Sequence, residues 1–311
     1  MEFFDDLADV PADFGPSAVA IGKFDGVHSG HRTVLANLLK VAAAENLTST
    51  AVTFDRHPLA LLRPEQCPEP LLSNPQKVER LAETGLDATV MLTFDREFSA
   101  QSPEDFVTRI LVDALHARVV FVGSDFRFGA KGAGTVDLLR ELGGQHGFEV
   151  RLIDDVVAAG SERRASSTWV RELLAEGDVD KAADVLGALP TIRSMVVHGL
   201  QRGRELGYPT ANLSPEIEGY IPADGVYAAW LTVDGRRYGA AVSIGNNPTF
   251  EGVPDKQVEA HVLDQSFDLY DKRVEVSFVR FIRGMRKFSG MDELAAQMAR
   301  DEQAIRGILA G

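Results

Sequence analysis

The chain has 311 residues, 45% of them hydrophobic and 25% charged, a length that suits two domains and a composition in the ordinary globular range. Its 32 Lys and Arg against 46 Asp and Glu give a net charge of −14, which argues against a nucleic-acid or anionic-membrane surface without a local basic patch and reads simply as solubility. The single cysteine excludes an internal disulfide framework and a Cys-rich zinc site and fits a reducing cytoplasm.

Met1 to Asp6 is acidic and lacks an apolar core, so no signal peptide is expected there, and no apolar run has the length of a membrane span. Val19-Ala20-Ile21 predicts a buried strand, broken by Gly22, Asp25 and Gly26. Thr33 to Lys40 then carries apolar residues at helical spacing. Strand, Gly-rich turn and helix is the layout that sets backbone N–H groups and a helix N-terminus against a phosphate. Further strands are expected at Ser49 to Asp55, Ala88 to Leu92, Val119 to Gly123 and Phe148 to Ile153. Helices are expected at Gln76 to Glu83, Pro103 to Leu115 and Val136 to Leu142. The alternation predicts a parallel α/β sheet within residues 1–186. Such sheets bind ligands at the C-terminal ends of their strands. Four marked segments fall there: the His28/His31 turn, Asp55-Arg56-His57-Pro58, Gly123 to Gly134, and Ser166 to Arg171. In the last, a hydroxyl is expected to cap a helix and Arg171 to project from its first turn. Cys67 sits in the Arg63 to Pro70 loop with no activating partner in sequence and reads as a bystander.

From residue 187 the pattern becomes one of short alternating strands: Ser194 to His198, Gly225 to Val233, Arg237 to Ile244, Val258 to Leu263 and Val274 to Ile282. Turn residues divide them, Asp234-Gly235 being a hairpin signal. This predicts a small antiparallel barrel over residues 187–311, closed by a helix at Met291 to Leu309.

Three groups of residues carry chemistry. His28 and His31, separated by Ser29-Gly30, read as imidazole donors at a helix N-terminus facing a nucleotide's phosphates. A turn with incidental histidines, or a metal pair, stays open. Gly123 to Gly129 reads either as a tight turn with packed aromatics or as an acceptor site, where Phe126 or Phe128 stacks on a planar ring and Asp125 accepts hydrogen bonds. His57 beside Pro58 has both a structural and a binding reading. In the second half, His198 to Asn212 is densest in signal. Gly203 and Gly207 allow close approach to phosphate, Arg202 and Arg204 add charge, and Thr210 and Asn212 share a side in an extended chain and suit Mg²⁺ as oxygen ligands. Glu259 reads as a solvent-facing strand residue or as a general base for a hydroxyl nucleophile.

His28-Ser29-Gly30-His31 resembles the His-x-Gly-His signature of α/β nucleotidyltransferases. Ala165-Ser166-Ser167-Thr168-Trp169-Val170-Arg171 resembles their Ile-Ser-Ser-Thr-x-x-Arg segment, with Ala for the Ile. Six further segments are similar to those of bifunctional bacterial riboflavin kinase/FMN adenylyltransferases: Thr53 to Pro58, Gly123 to Gly129, Gly207 to Asn212, Ile221 to Tyr227, Ser243 to Phe250 and Val258 to Ala260. The resemblance covers essentially the whole chain. It implies a Rossmann-like nucleotidyltransferase domain, 1–186, that adenylylates FMN to FAD, and a small antiparallel β-barrel with a C-terminal helix, 187–311, that phosphorylates riboflavin. Both would use ATP and Mg²⁺. It also implies ATP contacts at Gly22, Phe24, Asp25, Gly26, Ser167, Thr168, Gly203, Gly207, Thr210 and Asn212, with Thr210 and Asn212 also at the metal. Flavin contacts are implied at His57, Pro58, Asp125, Phe126, Phe128 and Arg283, and catalytic roles at His28, His31, Arg171 and Glu259. Arg56, Ser73-Asn74-Pro75 and Leu61-Leu62 depart from the family pattern. Small molecules are the expected partners, with neither nucleic acid nor membrane, and weak self-association is left open. Two other readings remain at this point: an adenylyltransferase for a different acceptor with an inert barrel, or a non-enzymatic RNA-binding barrel or flavin sensor.

Overall fold

In the computed structural model the described residues are 1–153, 157, 162–198, 208–245, 256–265 and 268–310. They form two compact units, Met1–Ala165 and Ser166–Gly311.

The first unit is a six-stranded, wholly parallel sheet. Its strands are β1 (Glu2–Phe4), β2 (Ser17–Ile21), β3 (Thr48–Phe54), β4 (Ala88–Leu92), β5 (Ala117–Gly123) and β6 (Glu149–Ile153), in the order β1-β4-β3-β2-β5-β6. Helices α1 (Ser29–Glu45), α2 (Pro58–Leu62), α3 (Asn74–Ala82), α4 (Arg96–Ala100), α5 (Pro103–Phe106, continued by a π-helical run Val107–Ala114) and α6 (Val136–His146) connect them. Every residue of β2 and β4 is buried, as strands covered on both faces require. Alternate β2 residues feed opposite cores: Val19 and Ile21 pack with Phe106, Leu111 and Leu139, whereas Ala18 and Ala20 pack under Leu35 and Leu38 of α1. β1 answers no sequence signal. It is three residues long and survives by adding to the sheet edge, with Phe3 beside Thr89 and Phe4 beside Val90.

The chain leaves β2 for β3 and β4 on one side and returns to β5 and β6 on the other. The crevice where the order reverses therefore lies at the C-terminal ends of β2 and β5. The His28/His31 turn follows β2, and the Gly123 to Gly134 loop follows β5.

The second unit begins with α7 (Ser167–Glu176) and α8 (Val179–Leu186). Strands β7 (Thr191–Val197), β8 (Ala211–Leu213), β9 (Gly225–Val233), β10 (Arg236–Gly245), β11 (Gln257–Val262) and β12 (Arg273–Arg283) close into an antiparallel barrel in the order β10-β11-β8-β7-β12-β9. The β9–β10 turn is the expected two-residue hairpin, with Asp234 and Gly235 both at positive φ (49° and 73°). Helix α9 (Met291–Leu309) buries Ile305 against Ala228 and Leu263.

The compact units divide at Ala165/Ser166, ahead of the change in sequence pattern at residue 187, because α7 and α8 pack with the barrel. The Ala223 amide donates to the Leu174 carbonyl (2.9 Å), and Gly177, the left-handed residue ending α7 (φ 83°), lies against Tyr227 and Phe281. Tyr227 is fully buried and donates to the Ala223 carbonyl (2.5 Å); burial, and secondarily Asp224, push its phenol upward in pKa. A helical pattern read from sequence shows that a helix exists but not which sheet covers its apolar stripe.

Candidate active sites

The turn after β2 is built on backbone that side chains rarely adopt: φ is 48° at Phe24, 85° at Gly26 and 41° at Val27. Phe24 holds it by burying its ring. The turn delivers His28 as the N-cap of α1, its Nδ1 accepting the His31 amide (3.4 Å). The two imidazoles stack at 3.7 Å and 19°, and Phe24 meets His31 edge-on at 5.2 Å. Gly30 leaves room for this arrangement: a Cβ there would lie 3.1 Å from the His28 ring, a tight contact.

Burial drives the His28 pKa from 6.5 down to about 4, with Arg164 adding to it. Burial, then His28, Lys23 and Arg164, hold His31 well below the usual range. Both rings are thus neutral near pH 7, each with one N–H to offer and no positive charge. Ser29 Oγ and His31 Nδ1 are buried without a hydrogen-bond partner. Two orphaned polar atoms in the first turn of a 17-residue helix, beside its N–H groups, are a donor set that suits an anion.

The histidines also set an acid limit on stability. An unfolded chain protonates His28 near 6.5 and the folded one near 4, so between these values the unfolded state holds more protons and stability rises with pH. Acidification from about 6.5 to about 4 should cost on the order of 3 kcal/mol from this residue, at ~1.4 kcal/mol per unit, and His31 adds with the same sign. Urea midpoints at several pH values test this: His28→Asn should flatten the slope, and an unchanged slope contradicts it.

A cleft of about 280 Å³ opens beside the turn, lined by Lys23, Asp25, Asp55, His57, Asn74 and Lys77 among others. His57 caps α2 through Nδ1, which accepts the Leu59 amide (3.1 Å), and Pro58 begins that helix. Asp25 accepts the Leu71 amide (2.8 Å). Asp55 accepts the Phe94 amide (2.8 Å) and the Arg56 guanidinium (2.8 Å). Burial alone would raise its pKa, but these bonds hold it below the usual carboxylate range. Ser73-Asn74-Pro75 turns out to be a helix start. Ser73 and Gln76 form a reciprocal capping box, and Asn74 donates to the Asp55 carbonyl (2.8 Å). Lys77 is buried, donates to the Phe54 carbonyl (2.7 Å), and has its pKa lowered by burial against the opposing pull of Asp25 and Asp55. Lys23, Asn74, Lys77 and Arg164 were not singled out by sequence. The one available signal was a lysine at the fourth position after the Ser73 cap, in a register that helical geometry buries. Cys67, expected to be a bystander, lines the same cleft.

In the loop after β5, Asp125 is exposed and Phe126 half-buried. Phe128 corrects its expected role. It is 5% exposed, pairs through its backbone with Gly134, and packs on Phe106 (5.3 Å), so it offers no ring face for stacking. Phe126 stacks on it at 5.5 Å. Ser166 caps α7 as expected, its hydroxyl accepting the Trp169 amide (3.2 Å). Ser167 and Thr168 open the helix and Arg171 follows at its fifth position, all within the second unit. Ala165, the last residue of the first unit, places its carbonyl 3.6 Å from where a Gly30 Cβ would stand.

On the barrel, Glu259 of β11 pairs in register with Asn212 of β8 on one side and Ser243 of β10 on the other; Asn212 pairs in turn with Val197. Neighbouring Ala211, Leu213, Val258 and Ala260 are buried, which turns Asn212 and Glu259 outward on the same face, with Thr210 two residues before Asn212. Register partners in antiparallel strands lie about 5 Å apart. One carboxylate, one amide and one hydroxyl thus share a patch of hard oxygen ligands. Among the described residues no cluster of three His, Cys, Asp or Glu could hold a metal. The patch instead fits Mg²⁺, which takes one or two protein oxygens and completes its shell with phosphates and water. Gly203 and Gly207 lie outside the described residues.

Arg283 also takes a different place from the one expected of a flavin contact. Its guanidinium pairs with the buried Asp301 of α9 (2.8 Å) and lies over Phe288 (5.7 Å), pinning the helix to β12. Asp301→Ala should therefore lower the unfolding free energy of the second unit by about 2 kcal/mol, the usual penalty for stranding a buried charge reduced for partial exposure. Chemical denaturation measures this, and a change under 0.5 kcal/mol contradicts it.

The FAD synthetase family matches residues 10–169 and the riboflavin kinase family residues 186–309. The bifunctional riboflavin kinase/FMN adenylyltransferase of Escherichia coli K12 is 37% identical over 289 residues, covering 93% of this chain and 91% of that one. Its Listeria monocytogenes counterpart is 36% identical over 294 residues, covering 94% and 92%. A crystal structure described as the macrolide-efflux protein of Streptococcus pneumoniae superposes with a TM-score of 0.85 at 30% identity, covering 98% of each chain. Among the described residues no helix is long and apolar enough to cross a membrane. With both family matches in order on the two units, the chain belongs to the bifunctional riboflavin kinase/FMN adenylyltransferase family.

Proposed function

We propose that residues 187–311 phosphorylate riboflavin with Glu259 as general base, and that residues 1–186 adenylylate the resulting FMN around His28 and His31. The observation that carries this division is the pairing of Glu259 with Asn212 on the outer barrel face. Phosphorylating riboflavin needs a proton removed from a neutral hydroxyl, and a carboxylate beside oxygen ligands for Mg-ATP is placed to take it. Thr210 and Asn212 would hold the Mg²⁺, which supplies charge neutralisation on the phosphates.

Adenylyl transfer makes the opposite demand. The attacking FMN phosphate is already anionic, so donors and alignment are needed and a base is not. The neutral His28 and His31 rings, the free N–H groups of α1 and the orphaned Ser29 hydroxyl meet that demand. Gly22, Phe24, Asp25 and Gly26 shape the turn, and His57, Pro58, Asp125 and Phe126 would contact the flavin. ATP as co-substrate and a lone cysteine suit the cytoplasm, and the net charge of −14 speaks against a nucleic-acid partner. Incubation with riboflavin, ATP and Mg²⁺, followed by chromatography, tests the whole: FMN and then FAD are expected, and the absence of both contradicts it.

A further inference from the structure

Lys23 lies inside the first turn and helps to hold it through its backbone alone. Its side chain is exposed, its backbone carbonyl accepts the Thr53 hydroxyl (3.1 Å), and its ammonium reaches the cleft, 3.3 Å from His57 Nε2. That contact joins two donors. His57 Nδ1 accepts the Leu59 amide, so in the neutral ring the proton sits on Nε2, and a lysine ammonium has donors only. With the lysine charged, both groups present donors to each other, whereas one anionic oxygen can accept from both.

The other charges of the cleft are engaged elsewhere: Asp55 with Arg56 and the Phe94 amide, Asp25 with the Leu71 amide, and Lys77 with the Phe54 carbonyl. Among the described residues no carboxylate pairs with Lys23. Its field also reaches the other way, being one of the charges that depress His31. Lys23 therefore stands between the phosphate turn and the acceptor cleft.

We infer that Lys23, together with His57, grips a substrate phosphate where the two substrates of adenylyl transfer meet. The inference rests on the assignment of that reaction to the first unit. An oxygen of the FMN phosphate forms a bond to the α-phosphorus of ATP, the bond from that phosphorus to the bridging oxygen breaks, and its electron pair leaves on pyrophosphate. Two anions must approach within bonding distance for this. A cation at their junction offsets the repulsion, and Lys23 keeps its proton throughout. The phosphate gripped belongs either to FMN or to ATP, and kinetics separate the two.

The test uses the full chain with Lys23→Met and Lys23→Arg, assaying FAD formation from FMN and, in the same preparations, riboflavin phosphorylation. Lys23→Met should lose about tenfold or more in kcat/KM for FAD formation, with riboflavin phosphorylation within about twofold of the parent, and Lys23→Arg should recover most of the loss. A rise in KM for FMN alone assigns the grip to the acceptor's phosphate, and a rise for ATP alone to the nucleotide's. Unchanged kcat and both KM values in Lys23→Met overturn the inference. Equal loss of both activities in both variants also overturns it, since a phosphate contact in the first unit does not set the rate in the barrel. A parent chain that phosphorylates riboflavin but forms no FAD removes the underlying assignment itself.

Discussion

Glu259→Gln should abolish riboflavin phosphorylation, by 10²–10⁴-fold, while adenylylation of supplied FMN stays within about twofold of the parent. The substitution keeps the shape of the side chain and its place in the β8–β11–β10 row, so the barrel has no packing reason to respond. It removes only the ability to take a proton. The nucleophile of the first step is a neutral hydroxyl, and without a base its oxygen must attack while still protonated. The nucleophile of the second step carries its charge beforehand and gains nothing from Glu259. Chromatography of parallel reactions begun from riboflavin and from FMN reads both steps. Retained FMN formation would leave Glu259 as an ordinary strand residue, and loss of both steps would contradict the division of labour.

His28→Ala combined with His31→Ala should give the complementary phenotype: riboflavin converted to FMN at the parent's rate, FMN accumulating, and FAD formation reduced by 10²–10³-fold or more. The size follows from removing two preorganised donors from a site where the protein supplies alignment and electrostatics but no covalent chemistry. Because burial keeps both rings neutral, the rate of FAD formation should not fall between pH 6.5 and 8 through loss of a histidine proton. A fall there that vanishes in His31→Asn would show a protonated imidazole at work. The stacked rings also fill space at the start of α1, so a melting curve should accompany the double variant. If FAD formation survives in a folded double variant, the turn is not the adenylyl-transfer site.

Local patterns were legible without coordinates wherever one segment carried its own signal. The apolar runs of β2 to β5, the two-residue Asp234-Gly235 turn and the bounds of α9 follow from periodicity and turn chemistry. So did the His-x-Gly-His spacing, because the geometry it needs is contained within a single turn. Strands β1 and β8, three residues each, were invisible because their stability comes from the partner strand and not from their own composition.

What the sequence by itself determined is the kind of protein: a parallel α/β unit, a barrel, a Gly-rich turn with two histidines in the first and a strand carboxylate near oxygen-bearing side chains in the second. What only tertiary structure decided is how each group is used. Burial, a property of the packed surroundings, makes His28 and His31 neutral donors and retires Phe128 to the core. Strand register across the barrel, set by pairing between distant segments, puts Glu259 beside Asn212 and Ser243. Contact with α9 gives Arg283 to Asp301. Helices α7 and α8 join the barrel unit because their apolar faces are covered there, and Lys23 meets His57 because β2 and β3 are neighbours. Each of these depends on residues far apart in the chain coming together, which no local period encodes.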